Sequence, residues 1–263
     1  MSTDAPSHLR PHAVGTSAPA RTDLPASAAV AAVAFVVVTG ETLPVGLITD
    51  VARGLDATES QVGLAVAWYA MVAAVTAVPL TRLTARFDRR TVLVACAVVF
   101  GLAQVIAALA ANIPLFLVGR SVAAASHGLY FAVATPAVVR IARKDAKVRA
   151  GGRVAVGASS ALVLGTPVAT LVGQTAGWRV AMLVVAAVAT ALAVAVSRVL
   201  PPLPALHTDA PPSHGGVLAT VRSRALAVIF GVTVVLVAGH FALFTYVEPY
   251  AGTRLATDRK SVV

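Results

Sequence analysis

A few ionisable and hydroxyl-bearing side chains lie inside long apolar stretches of this chain, where water does not reach. Glu41 stands in FVVVTGETLPVGLI and Arg120 in LFLVGRSVAAASHGLYF. His127 and Tyr130 follow Arg120 at spacings of seven and ten residues, on nearly the same helical face. His240, Tyr246 and Glu248 close the series in GHFALFTYVEPY. Charged groups at membrane depth are costly and point to function by default, as proton relays, substrate contacts or ion pairs. A carboxylate and a guanidinium at matched depth on two helices suggest a pair inside a cavity. Each residue also has a structural alternative. Glu41 can mark a shifted helix boundary, Arg120 can snorkel to headgroups, and His127 can be a hydrogen-bonded bundle histidine. Tyr246 can belong to an aromatic belt, and Glu248, beside Pro249, to the interface.

The elements that must position these groups are helices in lipid. Of 263 residues 58% are hydrophobic and only 12% charged, about half the charged share of a soluble domain, and the mean hydropathy is +0.84. The apolar residues fall in seven runs, 26–48, 62–80, 92–111, 115–139, 154–172, 180–200 and 225–247. Each approaches the roughly 20 residues a helix needs to cross the hydrocarbon core, and their wealth of Ala, Val and Gly suits close helix packing in lipid. At 1.5 Å per residue, Glu41 lies roughly 10 Å below the outer surface, and Arg120 at a similar depth from the same side. The expected fold class is an all-α membrane protein of about seven helices. Expected segments are a disordered tail over 1–24, six transmembrane helices over 25–200, a central loop over 201–224, a seventh helix over 225–250 and an end piece over 251–263.

The net charge of +10 is unevenly placed. Arg82, Arg86, Arg89 and Arg90 lie between runs two and three, and Arg140, Arg143, Lys144, Lys147, Arg149 and Arg153 between runs four and five. Arg222, Arg224, Arg10 and Arg21 fall on the same side, against only Arg53 and Arg179 in the alternate loops. That asymmetry is the positive-inside pattern and predicts a cytoplasmic N-terminus in the cell's inner (plasma) membrane. A nucleic-acid partner is not expected, because its footprint would be a continuous basic face. The residues before 26 lack the apolar core of a signal peptide. Cys96, the one cysteine, sits mid-run and reads as a buried structural thiol. No phosphate-cradling loop, zinc-binding or hydrolase motif occurs, and run seven lacks the lysine a retinal Schiff base requires. No enzymatic activity, cofactor or metal is expected, and the partner these runs imply is the lipid bilayer.

These residues carry a resemblance. The stretch GETLPVGLITDVARGLDATESQVGLAVAWYAMVAAVTAVPL, with Glu41, Pro44 and Gly46, resembles the first helical hairpin of the major facilitator superfamily's proton-coupled drug and sugar efflux branch, which includes arabinose-efflux and chloramphenicol-resistance permeases. GRSVAAASHGLYFAVA resembles that branch's fourth helix and GHFALFTYVEPY its seventh. LGTPVATLVGQTAGWRVAML, with Gly165, Pro167, Gly173, Gly177, Trp178 and Arg179, resembles its fifth helix and exit. The loop TRLTARFDRR departs from the superfamily pattern G-x-L-x-D-R-x-G-R-[RK]. It keeps Leu83, Arg86, Arg89 and Arg90, but places Thr81 and Asp88 at the glycines and Ala85 at the aspartate. In the family this loop holds the outward-facing state through ion pairs, so Asp88 is expected to replace the missing carboxylate. Ala169 likewise stands where the fifth-helix motif usually has glycine, and close packing is the alternative reading of that motif's remaining residues.

The resemblance implies alternating access, with two six-helix halves rocking about a midplane cavity lined by helices one, four, seven and ten. A proton moving inward would drive a small molecule outward. Glu41, Arg120, His127, Tyr130, His240 and Tyr246 would line that cavity. Burial favours the neutral acid and a nearby cation the carboxylate, so Glu41 would change charge as the cavity wets and dries. The competing readings are a truncated membrane fragment that does not transport and a seven-helix receptor or scaffold. Because the family has twelve helices, the resemblance implies a six-helix N-terminal bundle plus one further transmembrane helix here, with a C-terminal half expected in the full-length protein. The final DRKSVV is what GATCGGAAGAGCGTCGTG encodes, a common sequencing-adapter string whose next triplet is a stop. The native frame is therefore expected to leave this sequence near Thr257.

Overall fold

The computed structural model describes residues 23–205 together with Val228, Gly231, Val232 and Val235. The chain divides into Met1–Leu206 and His207–Val263; the four described residues of the second unit are helical. In the first unit the described elements are all helices: α1 (Asp23–Gly46), α2 (Ile48–Gly54), α3 (Glu59–Leu83), α4 (Arg89–Ala108), α5 (Ile113–Ile141), α6 (Lys147–Ser160), α7 (Thr166–Ala176) and α8 (Trp178–Val199). A π-helical turn over Ala161–Gly165 joins α6 and α7 into one span. Among the described residues six spans are long and apolar enough to cross a membrane: α1, α3, α4, α5, the joined α6–α7, and α8. They correspond to the first six runs. The seventh run lies almost entirely outside the described residues.

α3, α4 and α5 begin ahead of their apolar runs because their polar starts are capped rather than melted. Thr58 and Gln61 form a reciprocal capping box at the start of α3. Asp88 caps α4 by accepting from the Thr91 amide at 3.1 Å, and Asn112 caps α5 by accepting from Leu115 at 3.0 Å. The largest correction is in the fifth span. It begins at Lys147, inside the stretch read from the sequence as a basic loop, since Lys and Arg side chains at a helix end reach water while their backbone stays helical.

Within the bundle α4 packs between α5 and α8, α3 lies on α5, and α1 packs on α6 and α8. Small residues set these approaches. A methyl on Gly157 of α6 would overlap the Ala31 carbonyl of α1, so the two backbones touch only because that side chain is missing. Between α7 and α8 the chain reverses at Gly177, whose φ of 96° lies in the region L side chains rarely adopt. The next two residues lock the turn. Arg179 donates to the carbonyls of Gly54 and Ala110, both at 3.0 Å, and lies 4.2 Å over the Trp178 ring.

Candidate functional site

Arg120 is fully buried in α5. Its Nη1 donates to the Gly40 carbonyl at 2.7 Å and its Nη2 to the Glu41 carbonyl at 2.8 Å. The reason lies four residues further along α1. Pro44 sits inside that helix and has no N–H, so the Gly40 carbonyl loses its intrahelical donor. An orphaned carbonyl in an apolar bundle is costly, and Arg120 supplies the missing donor from the facing helix. The arginine is thus a cross-helix cap for a proline break.

The expected ion pair takes a different form. The Glu41 carboxylate approaches His127, with 3.5 Å between Oε2 and Nδ1. No carboxylate lies within ion-pair distance of Arg120 among the described residues. Successive spans reverse direction, so α1 and α5 are antiparallel, and side chains on each lean toward that helix's own N-terminus. Glu41 therefore leans deeper, toward the later residues of α5, while Arg120 leans the opposite way, onto the carbonyls. Matched depth of two Cα atoms on antiparallel helices separates the side-chain tips.

The gap between them is filled by Tyr69 of α3, which sequence reasoning missed. Its buried ring lies 4.2 Å from the Arg120 guanidinium, a cation–π contact, and its hydroxyl is 3.1 Å from His127 Nδ1. One nitrogen thus faces both the carboxylate and the phenol. With a proton it donates toward Glu41; without one it accepts from Tyr69; it cannot do both at once. A signal was available in AVAWYAMVA, since a tyrosine mid-run lies far from the interfacial belt where that residue usually stands. Phe131 closes one side of the imidazole, its ring centroid 4.9 Å away. The Glu41 side chain stays 30% exposed.

The other expected residues are placed as follows. Tyr130 is buried but does not join this group; its hydroxyl donates to the Val30 carbonyl at 2.5 Å and fastens α5 to the first half of α1. His240, Tyr246 and Glu248 lie outside the described residues. In the α3–α4 loop Asp88 is engaged as the α4 cap. Arg89 donates to the Thr84 carbonyl at 3.4 Å, Arg90 to the Ser197 carbonyl, and Arg86 lies 5.0 Å over the Phe87 ring. In the fifth span, the side-chain-free faces of Gly165 and Gly173 receive Thr39 and Leu47 of α1. Pro167 follows the π-helical turn directly, and the wider turn leaves room for its ring, which would crowd the preceding carbonyl of a regular helix. Also unforeseen were a hydroxyl pair, Thr42 and Thr166 at 2.6 Å, and Trp68 Nε1 donating to Ser121 at 2.8 Å.

Residues 30–260 match the Major Facilitator Superfamily. The chain is 37% identical over 217 residues to a chloramphenicol efflux pump of Mycobacterium tuberculosis (strain CDC 1551 / Oshkosh), covering 82% of this chain and 52% of the pump. It is 31% identical over 221 residues to a probable sugar efflux transporter of Helicobacter pylori (strain G27), covering 82% and 55%. Its fold is similar to that of a bacterial homologue of the human lysosomal transporter Spinster in an inward-facing, unoccupied conformation. That likeness has a TM-score of 0.61 at 14% identity, over 78% of this chain and 49% of the other. The chain spans about half the length of the curated relatives it matches.

Proposed function

The chain belongs to the major facilitator superfamily, and from that premise we propose that it is the N-terminal part of a carrier that exports small molecules in exchange for protons by alternating access. The observation that supports this reading best is the shared nitrogen of His127, 3.5 Å from the Glu41 carboxylate and 3.1 Å from the Tyr69 hydroxyl. When Glu41 is ionised, His127 is drawn to it. When Glu41 takes up a proton from outside the site the attraction is lost, the single imidazole proton passes to Nε2 by tautomer exchange, and the freed Nδ1 accepts from the Tyr69 hydroxyl. One proton arriving at α1 thereby changes a contact between α3 and α5, and a carrier needs such a link between proton and helix packing. Arg120 is held by main-chain carbonyls, so it stays in place through both states. Tyr130 acts in this reading as a fastener between α5 and α1.

Named relatives point to two probes, chloramphenicol and a small sugar. In everted vesicles from cells making a full-length carrier that bears this segment, adding a transported probe should dissipate an imposed proton gradient, read with a pH-sensitive dye. Export that continues unchanged when a protonophore removes the gradient would reject proton coupling.

The same reading puts the N-terminus in the cytoplasm, on the strength of the basic loops. With Cys96 changed to Ser, a cysteine at exposed Ala111 should be modified by an impermeant thiol reagent in intact cells, and one at Lys147 should be spared. Labelling at position 147 with none at 111 would invert the topology.

A further inference from the structure

We propose that the crevice between α3 and α4 is a binding site for an anionic phospholipid, one acyl chain lying in the crevice and the phosphodiester held by Arg86. This inference stands apart from the transport reading and rests on different residues. α3 and α4 both pack on α5, and the space left between them is a cavity of about 440 Å³ walled by Leu80, Ala95, Cys96, Val99, Val122 and Leu129. Of the three hydroxyls on its wall, those of Thr84 and Ser126 are engaged elsewhere, and Thr91 stands at the loop end. Thr84 donates to the Leu80 carbonyl at 2.7 Å and Ser126 to the Cys96 carbonyl at 2.6 Å. What remains facing the space is methyl and methylene surface, with Val99 and Val122 exposed to the surrounding medium. Such a wall recognises an alkyl chain and rejects a polar solute.

One end of the crevice is marked by charge. Thr84, Phe87 and Thr91 close it at the α3–α4 loop, and the Arg86 guanidinium lies 5.0 Å over the Phe87 ring. Arg89 and Arg90 are committed to backbone carbonyls. Arg86 has no carboxylate within ion-pair distance among the described residues, so its planar fork of donors is left for a phosphate. Residues 81–91 hold four arginines against one aspartate, a surplus that favours a headgroup without a cation of its own. Crevice and arginine are therefore joined at Phe87, whose ring floors the guanidinium and closes the apolar space.

The test uses a full-length carrier bearing this segment, in nanodiscs containing phosphatidylcholine and a small fraction of phosphatidylglycerol with a diazirine on its acyl chain. Cross-links should concentrate in peptides spanning 91–99 and 122–129, and unlabelled phosphatidylglycerol should compete about fivefold better than phosphatidylcholine. Arg86→Gln should erase that preference while keeping the cross-link positions; Ala95→Phe, which fills the crevice, should lose the cross-links themselves. Circular dichroism and a monodisperse elution profile confirm that each variant is folded before it is scored. Cross-links spread evenly over the lipid-facing spans, equal competition by the two lipids, or a preference that survives in Arg86→Gln would overturn the proposal. So would chain-to-chain cross-links at these positions, which would mean that a second copy fills the crevice.

Discussion

Glu41→Gln in a full-length carrier bearing this segment is expected to abolish export driven by a proton gradient while substrate binding stays measurable. Glutamine keeps the shape of the protonated acid and cannot ionise, so His127 loses the charge that draws it from Tyr69. The substitution should also leave the fold intact, for a specific reason. Arg120 grips Glu41 through the main-chain carbonyl at 2.8 Å, and that oxygen is the same in every residue. A direct carboxylate–guanidinium pair would have predicted otherwise, since removing one partner strands a buried charge. Two measurements decide the matter: equilibrium binding of the transported probe, and counterflow against active export. Active export at the level of the unchanged carrier would remove Glu41 from coupling. Unfolding of the variant would remove the claim that the carboxylate is structurally dispensable.

Arg120→Ala is expected to destabilise the bundle by about 3 kcal/mol, from two hydrogen bonds to a charged donor. A second substitution isolates the cause. In Pro44→Ala, residue 44 regains an N–H and the Gly40 carbonyl recovers its donor within α1. In that background Arg120→Ala should cost less by about 1 kcal/mol, a coupling of the size contacting residues show. Unfolding of the four chains (unchanged, each single variant and the double) in mixed micelles closes the cycle. Additive effects within error would mean that Arg120 does not cap the proline break. Arg120→Lys should behave more like the alanine variant than its charge suggests, because one ammonium cannot reproduce the planar fork that spans two successive carbonyls.

Much of the site was legible in the sequence as an inventory of residues and little of it as contacts. Glu41, Arg120 and His127 were found because ionisable groups in apolar runs are rare. Which of them touch depends on the lean of side chains on antiparallel helices, and a depth calculation from Cα rise ignores that lean. Tyr69 was overlooked because its mid-run position, unusual as it is, does not say which side chain its hydroxyl meets; here that is His127. Pro44 was noted as a family feature, yet its meaning is a missing hydrogen bond filled from another helix 80 residues away. Tyr130 shares Arg120's helical face by spacing, but ten residues carry it about 15 Å along the axis, and there it meets Val30 instead.

Run length and composition were enough, without coordinates, for the helical membrane class and the first six spans, and short motifs around Glu41, Arg120 and Gly165 carried the resemblance to a carrier family. Those properties are local: a helix in lipid satisfies its own backbone, so a span is legible from its own residues. Pairing between spans is not local. Tertiary structure alone decided that Asp88 caps a helix, that Arg120 mends the break at Pro44, and that His127 stands between Glu41 and Tyr69. Each outcome is a hydrogen bond or close contact allocated among several reachable partners. In a bundle without water, that allocation is set by which backbones approach closely, and here small residues such as Gly157 set the approach.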